Sequence, residues 1–162
     1  MNILFLCTGN SCRSILAEAT FNAIGPESMR AMSAGSLPSG FVHPKSIALL
    51  TSRGIATDGY YSKSWDNLST TLNTVTPDIV ITVCGSAAGE TCPTYLGKVI
   101  RAHWGVEDPA KVTGTDAEID AAFETAYFML RKRIEAFLAL PASVFENKDQ
   151  LQSSLNKIGE IV

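Results

Sequence analysis

Short apolar runs alternate with amphipathic stretches along this chain of 162 residues. Two runs, at residues 2–6 and 78–83, are almost continuously apolar, which is typical of parallel strands covered on both faces of a sheet. Shorter runs predict strands at residues 29–33 and 98–103. Periodic patterns predict helices over residues 14–24, from His43 to about Ser52, from Ser64 towards Asn73, and in a long stretch after Asp116. Strands that alternate with helices predict an α/β fold, a single-domain, doubly wound parallel sheet.

The composition is that of a globular protein and argues against two classes of partner. Hydrophobic residues make up 46% and charged residues 18% of the chain, which suits one well-packed core. The net charge is −3 and the basic residues are scattered, so we expect no nucleic-acid partner. No segment is long and apolar enough to cross a bilayer, and the chain starts without a basic leader. We therefore expect a cytoplasmic protein with no membrane partner.

The most informative segment is Cys7–Ser14, which joins the first predicted strand to the first predicted helix. Such a loop turns its backbone N–H groups towards a common centre, and together with the helix dipole it binds a tetrahedral oxyanion. Arg13 can donate a fork of two hydrogen bonds to that anion. The same positive surroundings predict a lowered pKa for Cys7 and a role as thiolate nucleophile. The predicted anion-binding residues are Thr8, Gly9, Asn10, Ser11, Cys12 and Arg13.

The chain contains four cysteines, at positions 7, 12, 84 and 92. In a cytoplasmic protein they do not indicate a set of structural disulfides. Their spacing is not that of the close pairs that bind zinc, and neither histidine lies near a cysteine pair in the sequence. We therefore expect no bound metal, and redox catalysis is the better interpretation of these cysteines.

The loop Cys7–Ser14 resembles the phosphate loop of the low-molecular-weight protein tyrosine phosphatase superfamily, which includes the arsenate reductases of the same fold. The amino-acid sequence of this loop resembles the reductase branch more than the phosphatase branch. Further matching segments follow in order along the chain at Ser33–Gly35, Val42–Pro44, Ser62–Asp66, Cys92–Pro93 and His103–Ala110. The resemblance covers residues 1 to about 140, and it implies a phosphatase-like catalytic domain over 1–140. We expect residues 141–162 to be a C-terminal extension that packs on this domain or stays flexible.

The resemblance implies a four-stranded sheet with strand order 2-1-3-4. Strands 1 and 3 are then neighbours, about 4.8 Å apart, which brings Cys84 within disulfide distance of Cys7. Reductases of this superfamily pass such a disulfide on to a third thiol, here Cys92, across a small polar loop that can move. The alternative interpretation of Cys84 is a small core residue at a strand end.

The resemblance also assigns Asp108, which precedes Pro109, as the general acid on a loop over the site. Ser14 is expected to hydrogen-bond the Cys7 thiolate and also to cap the helix. Some members of the superfamily hold a potassium ion near this loop. Asn10, Glu18 and Ser33 match ligands of that ion. Lys63 falls at the position of an acidic ligand, so we expect little dependence on potassium.

These residues favour reduction of arsenate to arsenite, which serves arsenic detoxification, by an enzyme with no bound cofactor and an external thiol reductant. Thioredoxin is favoured as that reductant, with glutathione and glutaredoxin as the alternative. The second hypothesis is a tyrosine phosphatase or phosphomonoesterase that forms a phosphocysteine. A third is an anion sensor in which Cys7 is poorly reactive. We expect a monomer that binds arsenate or phosphate.

Overall fold

The computed structural model describes residues 1–67, 76–84 and 99–162. Its sheet contains four parallel strands in the order β2-β1-β3-β4. Their bounds are β1 Asn2–Cys7, β2 Arg30–Gly35, β3 Ile79–Thr82 and β4 Ile100–His103. The predicted fold class and strand order are therefore confirmed. All four carboxyl ends lie on one edge of the sheet, where doubly wound folds place their sites.

Five α-helices connect or follow these strands in the described residues. They are α1 Arg13–Ile24, α2 Pro44–Ser52, α3 Asp116–Leu138, α4 Ala142–Phe145 and α5 Lys148–Gly159. The helix expected from Ser64 towards Asn73 begins as a 3₁₀ turn, Trp65–Asn67, and its remainder lies outside the described residues. A second 3₁₀ turn spans Pro109–Lys111. No helix in the described part of the chain is long and apolar enough to span a membrane.

The sheet is covered on both faces, as the continuous apolar runs predict. On one face Phe5 packs against Phe21 of α1 and against Trp104, with ring centroids 6.2 Å apart in both pairs. On the other face Leu4 and Leu6 form a smaller buried cluster. Neighbouring strand residues point to opposite faces, and both sets along β1 are buried. The position of Cys7 relative to β3 follows from the register, in which Leu6 lies opposite Thr82.

The C-terminal residues pack on the body of the molecule. Three apolar residues of α5, namely Leu151, Leu155 and Ile158, are buried. The carbonyl oxygen of Leu155 accepts a hydrogen bond from the buried indole N–H of Trp104 at 3.0 Å. The division of the chain at residue 140 stays a prediction.

Candidate active site

The anion loop, residues 7–14, follows β1 directly and leads into α1. Asn10 has a left-handed backbone (φ 46°), and its side chain is completely buried. Its amide nitrogen donates to Ser14 Oγ at 2.8 Å and to Ser33 Oγ at 2.9 Å, and its amide oxygen accepts from the backbone of Lys63 at 2.9 Å. Asparagine tolerates a left-handed backbone better than most residues, and these three bonds hold it there.

The carbonyl oxygens of the anion loop face outwards, towards the chain that surrounds the loop. Thr8 O accepts from Leu37 N and Gly9 O accepts from Ser39 N, both at 2.9 Å, and Ser11 O accepts from His43 N at 3.1 Å. A Cβ atom at Gly35 would overlap the Thr8 carbonyl oxygen, so only glycine allows this close approach. With its carbonyls engaged outside, the loop can offer its N–H groups to an anion.

The start of α1 adds to this anion-binding character. Cys12 occupies the N-cap position and makes no side-chain capping bond. The first N–H groups of a helix have no partner within the helix and carry the positive end of its dipole. They are therefore suited to a bound oxyanion.

Arg13 of the anion loop contacts the acid loop, which we define as residues 105–112. Its Nη2 is 3.2 Å from Asp108 Oδ2, and its Nη1 donates to the carbonyl oxygen of Val106 at 3.0 Å. Asp108 also caps the turn Pro109–Lys111 by accepting from Ala110 N at 3.0 Å. The anion-binding guanidinium and the predicted general acid are thus in direct contact.

Cys7 and Cys84 form a buried pair of thiols at the ends of β1 and β3. They are 3% and 2% exposed, and Cys84 lies close enough to raise the pKa of Cys7. Cys84 Sγ also accepts from the backbone N–H of Thr8 at 3.2 Å, and the Thr8 hydroxyl is 3.4 Å from the same sulfur. The parallel register explains why these two residues lie close together. Leu6 of β1 is opposite Thr82 of β3, and both strands continue in the same direction.

The expected lowering of the Cys7 pKa is wrong for this arrangement. The hydrogen bond with Cys84 and the burial of the sulfur raise the pKa of Cys7, whereas Arg13 and the backbone N–H of Asn10 lower it. The loop does supply the predicted positive surroundings, but the sequence did not reveal a second thiol in hydrogen-bond contact. Two thiols this close lose their protons in two coupled steps that belong to the pair.

Two further residues of the loop have identifiable environments. Burial raises the pKa of the Cys12 thiol, although hydrogen bonds from Ser11 and Ser46 lower it in part. The hydroxyl oxygen of Ser14 accepts from Asn10, so its own proton is available to another acceptor. Its expected bond to a Cys7 thiolate stays a prediction.

A buried ion pair supports the loop from behind. Ser33 donates a short hydrogen bond to Glu18 Oε2, and Lys63 Nζ lies 4.0 Å from the same oxygen. Burial raises the pKa of Glu18 and lowers that of Lys63. Ser33 also accepts a hydrogen bond from Asn10, which connects this ion pair to the anion loop. The ammonium of Lys63 lies beside Glu18, where the resemblance places an acidic ligand. No cluster of three or more metal-ligating side chains occurs within residues 1–67, 76–84 and 99–162.

Most of the predicted site residues meet at this edge of the sheet. The anion loop, Cys84 and Asp108 lie together, whereas Cys92 is outside the described residues. The sequence missed the carbonyl of Val106 as a partner of Arg13, and it missed the contact of Arg133 with the acid loop. Every residue has a backbone carbonyl, so the sequence does not show which carbonyl Arg13 contacts. Arg133 is far from the acid loop in the sequence, so no local motif connects the two.

With this geometry established, comparison with known proteins identifies the family. The family described as low molecular weight phosphotyrosine protein phosphatase matches residues 2–151. The chain belongs to this family. Among its relatives is an arsenate reductase of Halalkalibacterium halodurans, which is 37% identical over 135 residues covering 83% of this chain and 93% of the relative.

Solved structures agree with this placement. An arsenate reductase in the phosphate-binding state has a TM-score of 0.68 and 30% identity, over 85% of this chain and 96% of that protein. A thioredoxin-dependent arsenate reductase of Corynebacterium glutamicum has a TM-score of 0.58 and 28% identity, over 83% of this chain and 61% of that protein. The predicted family, including its reductase relatives, is confirmed.

Proposed function

We propose that this chain reduces arsenate to arsenite and thereby serves arsenic detoxification. The observation that carries the proposal is the buried, interacting pair of thiols, Cys7 and Cys84, beside an anion loop. Hydrolysis of a phosphate ester needs one nucleophilic thiol. Reduction of arsenate needs two electrons, which two thiols supply when they form a disulfide.

Arsenate binding falls to the loop N–H groups, the start of α1 and Arg13. A tetrahedral dianion accepts several N–H bonds at once, and the guanidinium adds a charge-assisted fork. Because Arg13 already contacts Asp108, binding by Arg13 brings the anion beside that carboxyl group. The carboxyl group is then placed to donate a proton to an oxygen that leaves arsenic.

The first step forms a bond between Cys7 sulfur and arsenic. One thiol of the pair gives up its proton, and Arg13 and the backbone N–H of Asn10 stabilise the Cys7 thiolate that attacks. An arsenic–oxygen bond breaks, and the oxygen leaves as water with a proton from Asp108. Arsenic is still pentavalent at this stage.

The second step transfers the electrons. The Cys84 thiolate attacks Cys7 sulfur, the sulfur–arsenic bond breaks, and its electron pair stays on arsenic. Arsenite is released, and a Cys7–Cys84 disulfide remains. The Thr8 N–H, 3.2 Å from Cys84 Sγ, favours the thiolate form of the attacking group.

The third step regenerates the nucleophile. Cys92 attacks Cys84, which frees Cys7 and leaves a Cys84–Cys92 disulfide for an external dithiol to reduce. We favour thioredoxin as that dithiol, and the thioredoxin-dependent relative from Corynebacterium glutamicum supports the choice. Glutathione with glutaredoxin is the alternative reductant. We place the reaction in the cytoplasm, where such reductants keep thiols reduced.

The second candidate function is hydrolysis of phosphomonoesters, including phosphotyrosine. The contact of Arg13 with Asp108 favours it, because an anion-binding group beside a proton donor is all that a phosphocysteine mechanism needs besides Cys7. Water would then hydrolyse the phosphocysteine, and Cys84 would have no role.

Two assays on one preparation test these candidates. The first follows NADPH consumption with arsenate, thioredoxin and thioredoxin reductase. The second follows hydrolysis of an aryl phosphate. We expect arsenate-dependent NADPH consumption that disappears in Cys84→Ser and Cys92→Ser, while both variants keep any aryl phosphate hydrolysis. Efficient hydrolysis without NADPH consumption, with thioredoxin or with glutaredoxin, would overturn the reductase proposal.

A further inference from the structure

Helix α5 covers β4, which is the edge strand on one side of the sheet. The side-chain amide of Gln152 donates to the carbonyl oxygen of Arg101 at 2.7 Å. Three residues further along each of these two segments, Trp104 donates to the carbonyl oxygen of Leu155 at 3.0 Å. Polar backbone groups at a sheet edge need such partners, so α5 fixes the strand that leads into the acid loop.

The end of α5 lies directly against the exit of β4. A Cβ atom at Gly159 would lie 2.5 Å from the carbonyl oxygen of His103 and 3.1 Å from Cδ1 of Trp104. No side chain fits in that space without a shift of the backbone. The contact between the helix end and the acid-loop entrance is therefore close, and glycine is what permits it.

Arg133 of α3 connects the two segments. Its side chain is buried, with the residue 4% exposed, and burial lowers its pKa. Nη1 donates to the carbonyl oxygen of Gly105 at 3.0 Å, while Nη2 and Nε donate to the carbonyl oxygen of Ile161 at 2.9 and 3.3 Å. Burying a guanidinium carries a desolvation cost, which its three hydrogen bonds to two carbonyls offset in part.

From Gly105 the connection to the site is short. Val106 donates its N–H to Val83 O at 3.0 Å and accepts from Arg13, and Asp108 contacts Arg13 two residues later. Gly105 is thus only three residues from Asp108, whose carboxyl group contacts Arg13 of the anion loop.

The last residues of the chain lie beyond the part that the family model matches. The family match ends at residue 151, inside α5, so Leu155, Gly159 and Ile161 fall outside it. The contacts of Arg133 with Ile161 and of Gly159 with His103 thus belong to this chain's own C-terminal residues.

We propose that the C-terminal segment, residues 142–162, holds the acid loop in its working position through Arg133. Arg133 is a positioning residue for proton transfer by Asp108, a role of Asp108 that rests on the proposed function. Misplacement of a proton donor by about an ångström is enough to slow a reaction by up to ~100-fold.

The first test is the Arg133→Met variant, with Arg131→Met as matched control. Both arginines lie on α3, but Arg131 pairs with Glu135 on the surface. Hydrogen exchange followed by mass spectrometry should show faster exchange across residues 105–112 in Arg133→Met and not in the control. Exchange in β1 and β3 should stay unchanged, which separates a local effect from general loss of stability.

A double-mutant cycle with Asp108→Asn links the effect to proton transfer. We expect Arg133→Met to lower kcat/KM for arsenate by ~10-fold alone, but by less than ~2-fold in the Asp108→Asn background. An equal loss in both backgrounds would overturn the positioning role. If the protein does not turn over arsenate, the proposed function fails, whereas hydrogen exchange still decides whether Arg133 holds the acid loop.

A second variant, Gly159→Ala, approaches the same contact from the C-terminal segment and leaves Arg133 in place. It should produce the same local increase of exchange in residues 105–112, because the added methyl group pushes α5 away from His103. Unchanged exchange there in both Arg133→Met and Gly159→Ala would contradict the proposal.

Discussion

The anion loop and the acid loop face each other across the site, but they are held in different ways. The anion loop is short and follows a buried strand, and the side chain of its own Asn10 organises it, although several of its hydrogen-bond partners lie further along the chain. The acid loop depends on residues from distant parts of the chain, namely Arg13, Arg133 and the C-terminal helix. Local sequence therefore reveals the first loop much better than the second.

Arg13 is part of the anion loop and contacts the acid loop, so its replacement gives the largest expected effect on binding. In Arg13→Lys a single ammonium cannot contact Val106 O and Asp108 and also donate a fork to the anion. Loss of one charge-assisted bond worth about 2 kcal/mol should weaken phosphate binding ~30-fold. Isothermal titration with inorganic phosphate measures this, with Arg131→Lys as control. Wild-type affinity in Arg13→Lys would show that the guanidinium fork does not bind the anion.

Asn10 tests how local the support of the anion loop is. Asn10→Ala removes three hydrogen bonds, two of them buried and one partly buried, and places alanine at a left-handed backbone. The free energy of unfolding should fall by about 2–4 kcal/mol. Phosphate should then stabilise the variant less than the wild type, as measured by urea unfolding with and without phosphate.

Asn22→Ala is the matched control for Asn10, because Asn22 also bonds backbone groups, N and O of Ala31, but outside the site. It should lower stability and keep the full stabilisation by phosphate. Full phosphate stabilisation in Asn10→Ala would mean that the loop keeps its shape without this side chain.

The pair of Glu18 and Lys63 gives the smallest effect, a change in how stability depends on pH. Burial raises the pKa of Glu18 in the folded protein, so above its ordinary value of 4.5 the folded state binds more protons at this group than the unfolded state. Stability contributed by Glu18 therefore falls as pH rises from about 4.5 through the raised folded pKa.

Glu18→Gln should remove that part of the slope. The measurement is urea unfolding between about pH 4 and pH 7 for both proteins, where the difference between them isolates Glu18 from other carboxylates. Parallel curves over this range would contradict a raised pKa for Glu18.

The sequence predicted most of what is local or shared with a known family. The strand runs, the loop Cys7–Ser14 and, through the resemblance, the strand order all agree with the structure. The pKa of Cys7 was predicted in the wrong direction, because it depends on Cys84, which is 77 positions away in the chain and is brought near only by the pairing of β1 with β3.

The support of the acid loop could not be predicted at all. Arg133 lies in the helical pattern as one more basic residue, and its partners are two backbone carbonyls. Sequence patterns record which faces are apolar, but they do not record which carbonyl a buried guanidinium reaches. The sequence describes the anion loop best and the acid loop least.

The most direct test of the central claim is a single turnover with the Cys92→Ser variant. The reduced variant is mixed with excess arsenate and no reductant, then acid-quenched, digested and examined by mass spectrometry. We expect one arsenite released per protein chain and a disulfide that joins the peptides of Cys7 and Cys84. Intact thiols at both positions, with no arsenite formed, would contradict it.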